Sequence, residues 1–269
     1  GYMSSVTQRI NEITQPRGRY INPSQFKVYK LPEDINKFRS MSVANGSENI
    51  SAAVVGMVVD YMTRLLMSGN RRQAFNISLQ GAVIAEKMFN QYGAVKEAEM
   101  LLSGIQGTDT KSIINACKLV VYDSWLRNPA EALKQRLLAR KAPDAVTIQN
   151  IKFMIKRSIR FWDRYGPIVS DCFTFEPYGY TSTVDSGDGD YLTADTLWDF
   201  KVSRNELTKE HTLQLLMYWV MGQHSGQEIY KHIDKIGIFN PRLNKVYLLP
   251  VAEIPKETIE EVERKVICY

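Results

Sequence analysis

The sequence predicts an α/β fold, because helical and strand patterns occupy different parts of the chain. Between residues 48 and 165, apolar side chains recur at three- and four-residue steps, which is the spacing of amphipathic helices. Between residues 168 and 202, aromatic and β-branched residues alternate with polar ones, as they do in strands. About 44% of the residues are apolar and 23% are charged, a globular composition that excludes a disordered chain.

The elements of the first half follow from local signals. Residues 1–48 are polar and rich in turn residues, which predicts short strands or loops with one short helix. A long helix is expected over residues 48–67, with further helices over residues 71–104 and 108–140. Breaks in these helices are expected at three glycines and one Asn-Pro pair: Gly93, Gly104, Gly107 and Asn128-Pro129.

The second half contains the predicted strands. A strongly amphipathic helix is expected over residues 147–165, ended by Gly166-Pro167. Residues 168–202 predict three strands in a meander, and residues 207–222 return to helical spacing. A hairpin and a closing helix with Pro255 at its start are expected to follow, over residues 236–239, 245–249 and 257–267.

Hydropathy and cysteine usage exclude two classes of protein. The longest purely non-polar run covers residues 52–59, far short of the ~20 residues that span a bilayer, so no membrane partner is expected. Three cysteines, Cys117, Cys172 and Cys268, are isolated from one another. They form neither a disulfide framework nor a Cys-x-x-Cys metal motif, and a reduced, cytoplasmic protein is expected.

The positive charge is concentrated in one predicted helix. The chain carries a net charge of +5, and residues 134–164 hold nine lysines and arginines against two aspartates. Five of the basic residues form a stripe along the helix over residues 147–165: Lys152, Lys156, Arg157, Arg160 and Arg164. The stripe is either a solvated surface or a face that follows nucleic-acid phosphates. The scarcity of acidic residues favours nucleic-acid binding, here to DNA.

Three charged residues are expected to meet at one edge of the sheet. Asp199 and Lys201 are two apart on a predicted strand and project from the same face. A turn at Ala194-Asp195 folds the preceding strand back and brings Asp190 close to Asp199. Hard oxygen ligands of this kind suit Mg²⁺ or Mn²⁺. The alternative is an ion pair on a solvated strand.

The next predicted helix adds a polar face beside these residues. His211, Gln214 and Tyr218 lie at i, i+3 and i+7, on one side of the helix. The opposite side carries leucine and valine for packing. We expect His211 to contact nucleic acid together with the basic stripe.

These motifs, in this order and spacing, resemble the PD-(D/E)XK nuclease superfamily, and within it the RecB-like exonucleases. The resemblance covers residues 168–249 and implies a mixed sheet flanked by helices, as in the restriction-endonuclease-like core. It implies that Asp190 and Asp199 ligate the metal and that Lys201 positions the attacking water. Gln214 and Tyr218 would contact the nucleic-acid backbone or brace the site.

The function that the resemblance implies is a metal-dependent deoxyribonuclease of the exonuclease type. Such a hydrolase cleaves DNA phosphodiester bonds with a water activated by Mg²⁺ or Mn²⁺. Two alternatives stay open: a catalytically inactive nuclease-fold protein that binds nucleic acid, and a metal-dependent phosphoesterase that acts on RNA. The expected partners are DNA or RNA, together with a second copy of the chain or a recombination or repair protein.

A further metal ligand is expected from the first long helix. RecB-like members carry a Gly-x-x-x-His pattern there, and this chain has Gly56-Met-Val-Val-Asp60, with aspartate in place of histidine. The alternative is an ion pair between Asp60 and Arg64 at i+4. With Asp60 as a ligand, the chain is a single nuclease domain. Its core covers residues 48–68 and 166–269, with a helical insertion over residues 71–165.

Overall fold

The computed structural model describes residues 4–33, 47–135 and 141–269, and these residues form a mixed α/β fold. Its contacts divide the chain into two compact units. The sheet unit comprises Gly1–Pro32, Phe161–Asn240 and Asn244–Tyr269, and the helical unit comprises Glu33–Arg160 and Pro241–Leu243. Residues 52–68 belong to the helical unit. The single nuclease domain with an insertion stays a prediction.

The elements are numbered in chain order. The strands are β1 (Ser4–Ser5), β2 (Lys27–Lys30), β3 (Ser170–Asp171), β4 (Val184–Ser186), β5 (Tyr191–Leu192), β6 (Thr196–Phe200), β7 (Lys235–Asn240) and β8 (Lys245–Pro250). The helices are α1 (Val6–Glu12), α2 (Ala52–Ser68), α3 (Arg71–Ala74), α4 (Asn76–Phe89), α5 (Ala94–Ser103), α6 (Thr110–Leu119), α7 (Asp123–Arg127), α8 (Pro129–Gln135), α9 (Ala145–Tyr165), α10 (Lys209–His224) and α11 (Lys256–Glu261). A π-helical turn, Val262–Ile267, continues α11.

The sheet unit contains a mixed six-stranded sheet in the order β2-β8-β7-β6-β5-β3. Only the pair β6–β7 is parallel, and the other neighbours are antiparallel. The predicted hairpin is confirmed as β7–β8. The predicted meander is confirmed in part, because β3, β5 and β6 are consecutive neighbours but β4 leaves the sheet. It pairs instead with β1 in a separate parallel ladder.

The two faces of the six-stranded sheet bury different side chains. On β6, Leu197 joins a large apolar cluster that includes Leu213 and Leu216 of α10. The next residue, Trp198, points the other way and packs in an aromatic cluster with Phe161, at a ring-centroid distance of 4.8 Å. This alternation places Asp199 on the face covered by α10.

The helical unit confirms helices in the first half of the chain and the breaks expected near Gly93, Gly104 and Asn128-Pro129, but it adds breaks at Phe75 and at the 3-10 turn Val120–Tyr122. Gly93 and Gly104 bound α5, and Pro129 starts α8. Residues 34–46 and 136–140 lie outside the described part. In the described part, every helix is too short or too polar to cross a membrane.

A polar network and an ion pair are buried in the helical unit. Asp123 accepts hydrogen bonds from the hydroxyls of Tyr61 and Ser78, each at 2.5 Å. Arg242 donates two hydrogen bonds of 2.8 Å to Glu48, and both side chains are almost fully buried. Each pair joins distant parts of the sequence, so these contacts help to fix how the helices pack.

Candidate active site

The β5–β6 hairpin brings two aspartates together. Tyr191 lies opposite Trp198 in the antiparallel register, so Asp190, one residue earlier, lies opposite Asp199. The Oδ2 atom of Asp190 accepts a hydrogen bond from the backbone N–H of Phe200 at 2.9 Å. This bond orients the Asp190 carboxylate toward the end of β6. The backbone N–H of Phe200 is a site component that residue types alone could not reveal.

Lys201 completes a group of three charges. Asp199 is only 5% exposed, and the Nζ atom of Lys201 lies 3.1 Å from its Oδ2 atom. The contact between Lys201 and Asp199 is an ion pair, because no donor in the described part of the chain meets hydrogen-bond geometry at the Asp199 Oδ2 atom. The predicted meeting of Asp190, Asp199 and Lys201 thus occurs within the sheet unit.

Burial beside a second carboxyl group changes the protonation of Asp190. Burial, followed by the negative charge of Asp199 and a hydrogen bond to it, raises the pKa of Asp190 to about 7. The attraction of Asp199 raises the pKa of Lys201, which burial alone would lower. At neutral pH, Lys201 is therefore a protonated donor, while Asp190 is divided between its neutral and charged forms.

Glycines before Asp190 allow the chain to pass close to aromatic rings. A Cβ atom at Gly189 would lie 1.9 Å from the ring of Phe173. Gly187 has a φ of 145°, and its carbonyl accepts a hydrogen bond from the Tyr180 hydroxyl at 2.7 Å. The glycine-rich segment is thus required by packing that also fixes the position of Asp190.

Helix α10 contributes the predicted polar face. The Nε2 atom of Gln214 donates to the Tyr218 hydroxyl at 3.1 Å, and Tyr218 is 5% exposed. Burial, together with the charges of Asp199 and Asp190, raises the pKa of Tyr218 well above its usual range. The Tyr218 hydroxyl therefore keeps its proton and remains a hydrogen-bond donor close to the carboxylates.

His211 caps the start of α10. Its Nδ1 atom accepts a hydrogen bond from the backbone N–H of Thr208 at 3.3 Å, and the Thr208 hydroxyl accepts one from the His211 backbone. Burial and the charge of Lys201 lower the pKa of His211 to about 4. The ring is therefore neutral at pH 7, and its Nε2–H group is free of the capping contact.

Asp60 lies in the helical unit, on α2. Its Oδ1 atom is 3.0 Å from the Nε atom of Arg64, at the i+4 spacing of the alternative interpretation. Within residues 4–33, 47–135 and 141–269, no group of three or more histidine, cysteine, aspartate or glutamate residues could hold a metal ion. The role of Asp60 as a metal ligand stays a prediction.

The basic stripe of α9 contains both ion-paired and exposed side chains. Arg157 makes two hydrogen bonds to Glu33, at 3.1 and 2.9 Å, and donates to two further backbone carbonyls. Arg160 lies 4.0 Å from the same glutamate. Lys156 and Arg164 are exposed, with the Arg164 guanidinium near the ring of Tyr165. The sequence could not reveal the Arg157 pair, because its partner is 124 residues away.

Gln15 is a second contributor that sequence patterns did not reveal. It is 8% exposed, and its Nε2 atom donates to the carbonyl of Lys209 at 3.0 Å. It thus ties the N-terminal loop to the start of α10. A single glutamine in a polar segment gives no local signal of such a contact.

Comparison with family models, curated proteins and solved structures finds no match to the chain. The functional conclusion therefore depends on the geometry of the residues described above.

Proposed function

We propose that the protein is a metal-dependent deoxyribonuclease of the exonuclease type. One observation carries the proposal: the β5–β6 register places Asp190 opposite Asp199, with the Lys201 ammonium 3.1 Å from Asp199, and burial followed by the charge of Asp199 raises the pKa of Asp190 to about 7. Strongly perturbed carboxyl groups with a specific charged partner are typical of functional sites. The order of these residues along the chain resembles that of the PD-(D/E)XK nucleases and supplies the expected substrate.

The two carboxyl groups fit a divalent cation. Asp199 has a buried Oδ2 atom without an aligned donor, and the pKa of Asp190 is raised by burial and by the adjacent negative charge of Asp199. Asp190 and Asp199 would hold Mg²⁺ or Mn²⁺, since these ions prefer carboxylate oxygens. When bound, such an ion supplies a Lewis acid for the phosphate and activates water as the nucleophile.

Lys201 and Tyr218 supply fixed donors. Lys201 remains protonated at neutral pH, so it balances negative charge on the phosphate and orients water, and it does not act as the proton acceptor. The Tyr218 hydroxyl, held by Gln214, can donate to the substrate or to a carboxylate. Both donors are already in place before the substrate binds. They can therefore stabilise the negative charge that develops on the phosphate without rearrangement of the protein.

His211 is proposed as a neutral contact to the nucleic-acid backbone. Its Nδ1 atom is occupied by the Thr208 backbone, which leaves Nε2–H as a donor. Because the pKa of His211 is lowered to about 4, its contribution to binding is expected to be constant across neutral pH.

Cleavage of labelled DNA tests the proposal. End-labelled linear duplex, linear single-stranded DNA, closed circular DNA and RNA are incubated with the protein in Mg²⁺, Mn²⁺ or EDTA. We expect the linear DNA to be degraded only with metal. Lys201→Ala should lose this activity and keep its fold. Lys235→Ala is the matched control, because it removes a lysine paired with Asp195 at the opposite end of the β6–β7 pair.

Three outcomes would contradict the proposal. Undiminished cleavage by Lys201→Ala would show that the site is wrong. Cleavage of RNA alone would favour the phosphoesterase alternative. Binding of DNA without cleavage in any metal would favour the inactive nuclease fold.

A further inference from the structure

We propose that a turn of residues 16–19, here called the arginine turn, binds phosphates of the DNA strand beside the carboxylate pair. The inference rests on the proposed function for the identity of the strand. The turn is closed by a hydrogen bond of 2.8 Å from the Arg19 N–H to the Pro16 carbonyl. Arg19 has a φ of 64°, so the backbone reverses sharply and presents both Arg17 and Arg19 to solvent.

The arginine turn is fixed to the first turn of α10 by two hydrogen bonds, and a third closes the loop around it. The buried side chain of Gln15 donates to the Lys209 carbonyl at 3.0 Å and accepts from the Tyr20 N–H at 3.4 Å. The Thr212 hydroxyl donates to the Ile21 carbonyl at 2.7 Å. Contacts on both sides of the turn therefore hold it at the start of α10.

The same first turn of α10 lies close to the proposed site. Asp199 lies on the sheet face that α10 covers, and Leu197 of the same strand belongs to one apolar cluster with Leu213, four residues after the Lys209 carbonyl that holds Gln15. A strand that has one phosphate at the carboxylates and continues along the start of α10 would present further phosphates, at about 3.4 Å for each step, to the arginine turn.

The charges of the arginine turn are available to an external anion. Arg17 and Arg19 are exposed, and neither has an ion-pair partner among the residues that the structure describes. The charge of Arg157, by contrast, is paired with that of Glu33. Two guanidinium groups on a fixed backbone match a row of phosphates, because each can donate two parallel hydrogen bonds to one phosphate.

Salt-dependent DNA binding tests the inference. Fluorescence anisotropy measures the affinity of short single-stranded and duplex DNA in EDTA, which keeps the DNA uncut, over a series of NaCl concentrations. Arg17→Gln/Arg19→Asn removes both charges, and asparagine tolerates the left-handed backbone at residue 19. The control, Lys231→Ala/Lys235→Ala, removes the same charge at the start of β7, the end of the sheet away from the carboxylates.

We expect the arginine variant to bind about tenfold more weakly at moderate salt. Its slope of log affinity against log salt should be smaller by about 1.4–1.8, which is the value for two phosphate contacts. The control should match the wild type. Arg17→Lys/Arg19→Lys should keep most of the slope, and thermal unfolding establishes that each variant is folded.

The inference is overturned if the arginine variant and the control have the same affinity and slope. It is also overturned if Arg17→Lys/Arg19→Lys loses as much slope as the neutral variant, or if the wild type binds no DNA. Failure of the nuclease proposal would look different. The wild type would then bind DNA through the arginine turn with the expected slope but would cut no substrate in any metal.

Discussion

Replacing Asp190 with asparagine is expected to stabilise the metal-free protein at neutral and alkaline pH. Burial and the adjacent charge of Asp199 raise the pKa of Asp190 to about 7, so ionisation there is unfavourable. Asparagine keeps an oxygen for the Phe200 N–H and offers an amide donor to the neighbouring carboxylate. The substitution therefore removes an unfavourable charge and retains the local hydrogen bond.

The magnitude follows from the difference in pKa between the unfolded and folded chain. Aspartate ionises near 3.8 when unperturbed, and Asp190 near 7, so the folded state holds the proton more tightly. The free energy of unfolding consequently falls as the pH rises between these values and is constant above them. At about 1.36 kcal/mol per pKa unit, the upper bound is about 4 kcal/mol. Partial exposure of the Asp190 side chain reduces the expected gain to about 1–2 kcal/mol.

Thermal unfolding in EDTA measures this gain. At about pH 8 the Tm of Asp190→Asn should exceed that of the wild type by about 3–6 °C, and the difference should vanish near pH 4. Asp185→Asn, which removes an exposed carboxylate from the same segment, should leave the Tm almost unchanged. The reasoning is refuted if Asp190→Asn is less stable than the wild type at pH 8, or if the difference does not depend on pH.

Two further predictions concern stability. Glu48→Gln breaks the buried pair with Arg242, leaves a positive charge without its counterion, and should lower the free energy of unfolding by about 3 kcal/mol. Urea denaturation measures this loss, and a change as small as that of the exposed Glu257→Gln would contradict it. Gly189→Ala forces a methyl group against the Phe173 ring and should lower the Tm by several degrees, with reduced divalent-cation affinity. A wild-type Tm and affinity in that variant would show that the segment has room to adjust.

Local patterns in the sequence predicted the elements well. The apolar stripe of α9 and the Gly166-Pro167 pair after it predicted where this helix begins and ends, and the helix runs Ala145–Tyr165. Alternation along β6 predicted that Asp199 and Lys201 share a face, and the β5–β6 turn brought Asp190 to them. These features depend on residues close in sequence, where steric periodicity decides the structure.

Long-range partners could not be predicted in the same way. Strand β4 leaves the meander because its partner is β1, which lies near residue 1 and is distant in sequence. Arg157 carries the same local signal as Lys156, yet Glu33 engages one of them and leaves the other exposed. The partner of a strand or side chain depends on which distant residues the packing brings together. Hydrophobic periodicity in a single sequence reports local structure and does not identify these partners.

The proposed function depends first on a divalent cation bound by Asp190 and Asp199. Isothermal titration of metal-free protein with MnCl₂ at about pH 8 tests this most directly, because Asp190 is then largely ionised. We predict saturable binding by the wild type and by Asp185→Asn, no binding at this site by Asp199→Asn, and weaker wild-type binding as the pH falls through about 7. Absence of binding by the wild type, or undiminished binding by Asp199→Asn, would contradict the metal site and the nuclease proposal with it.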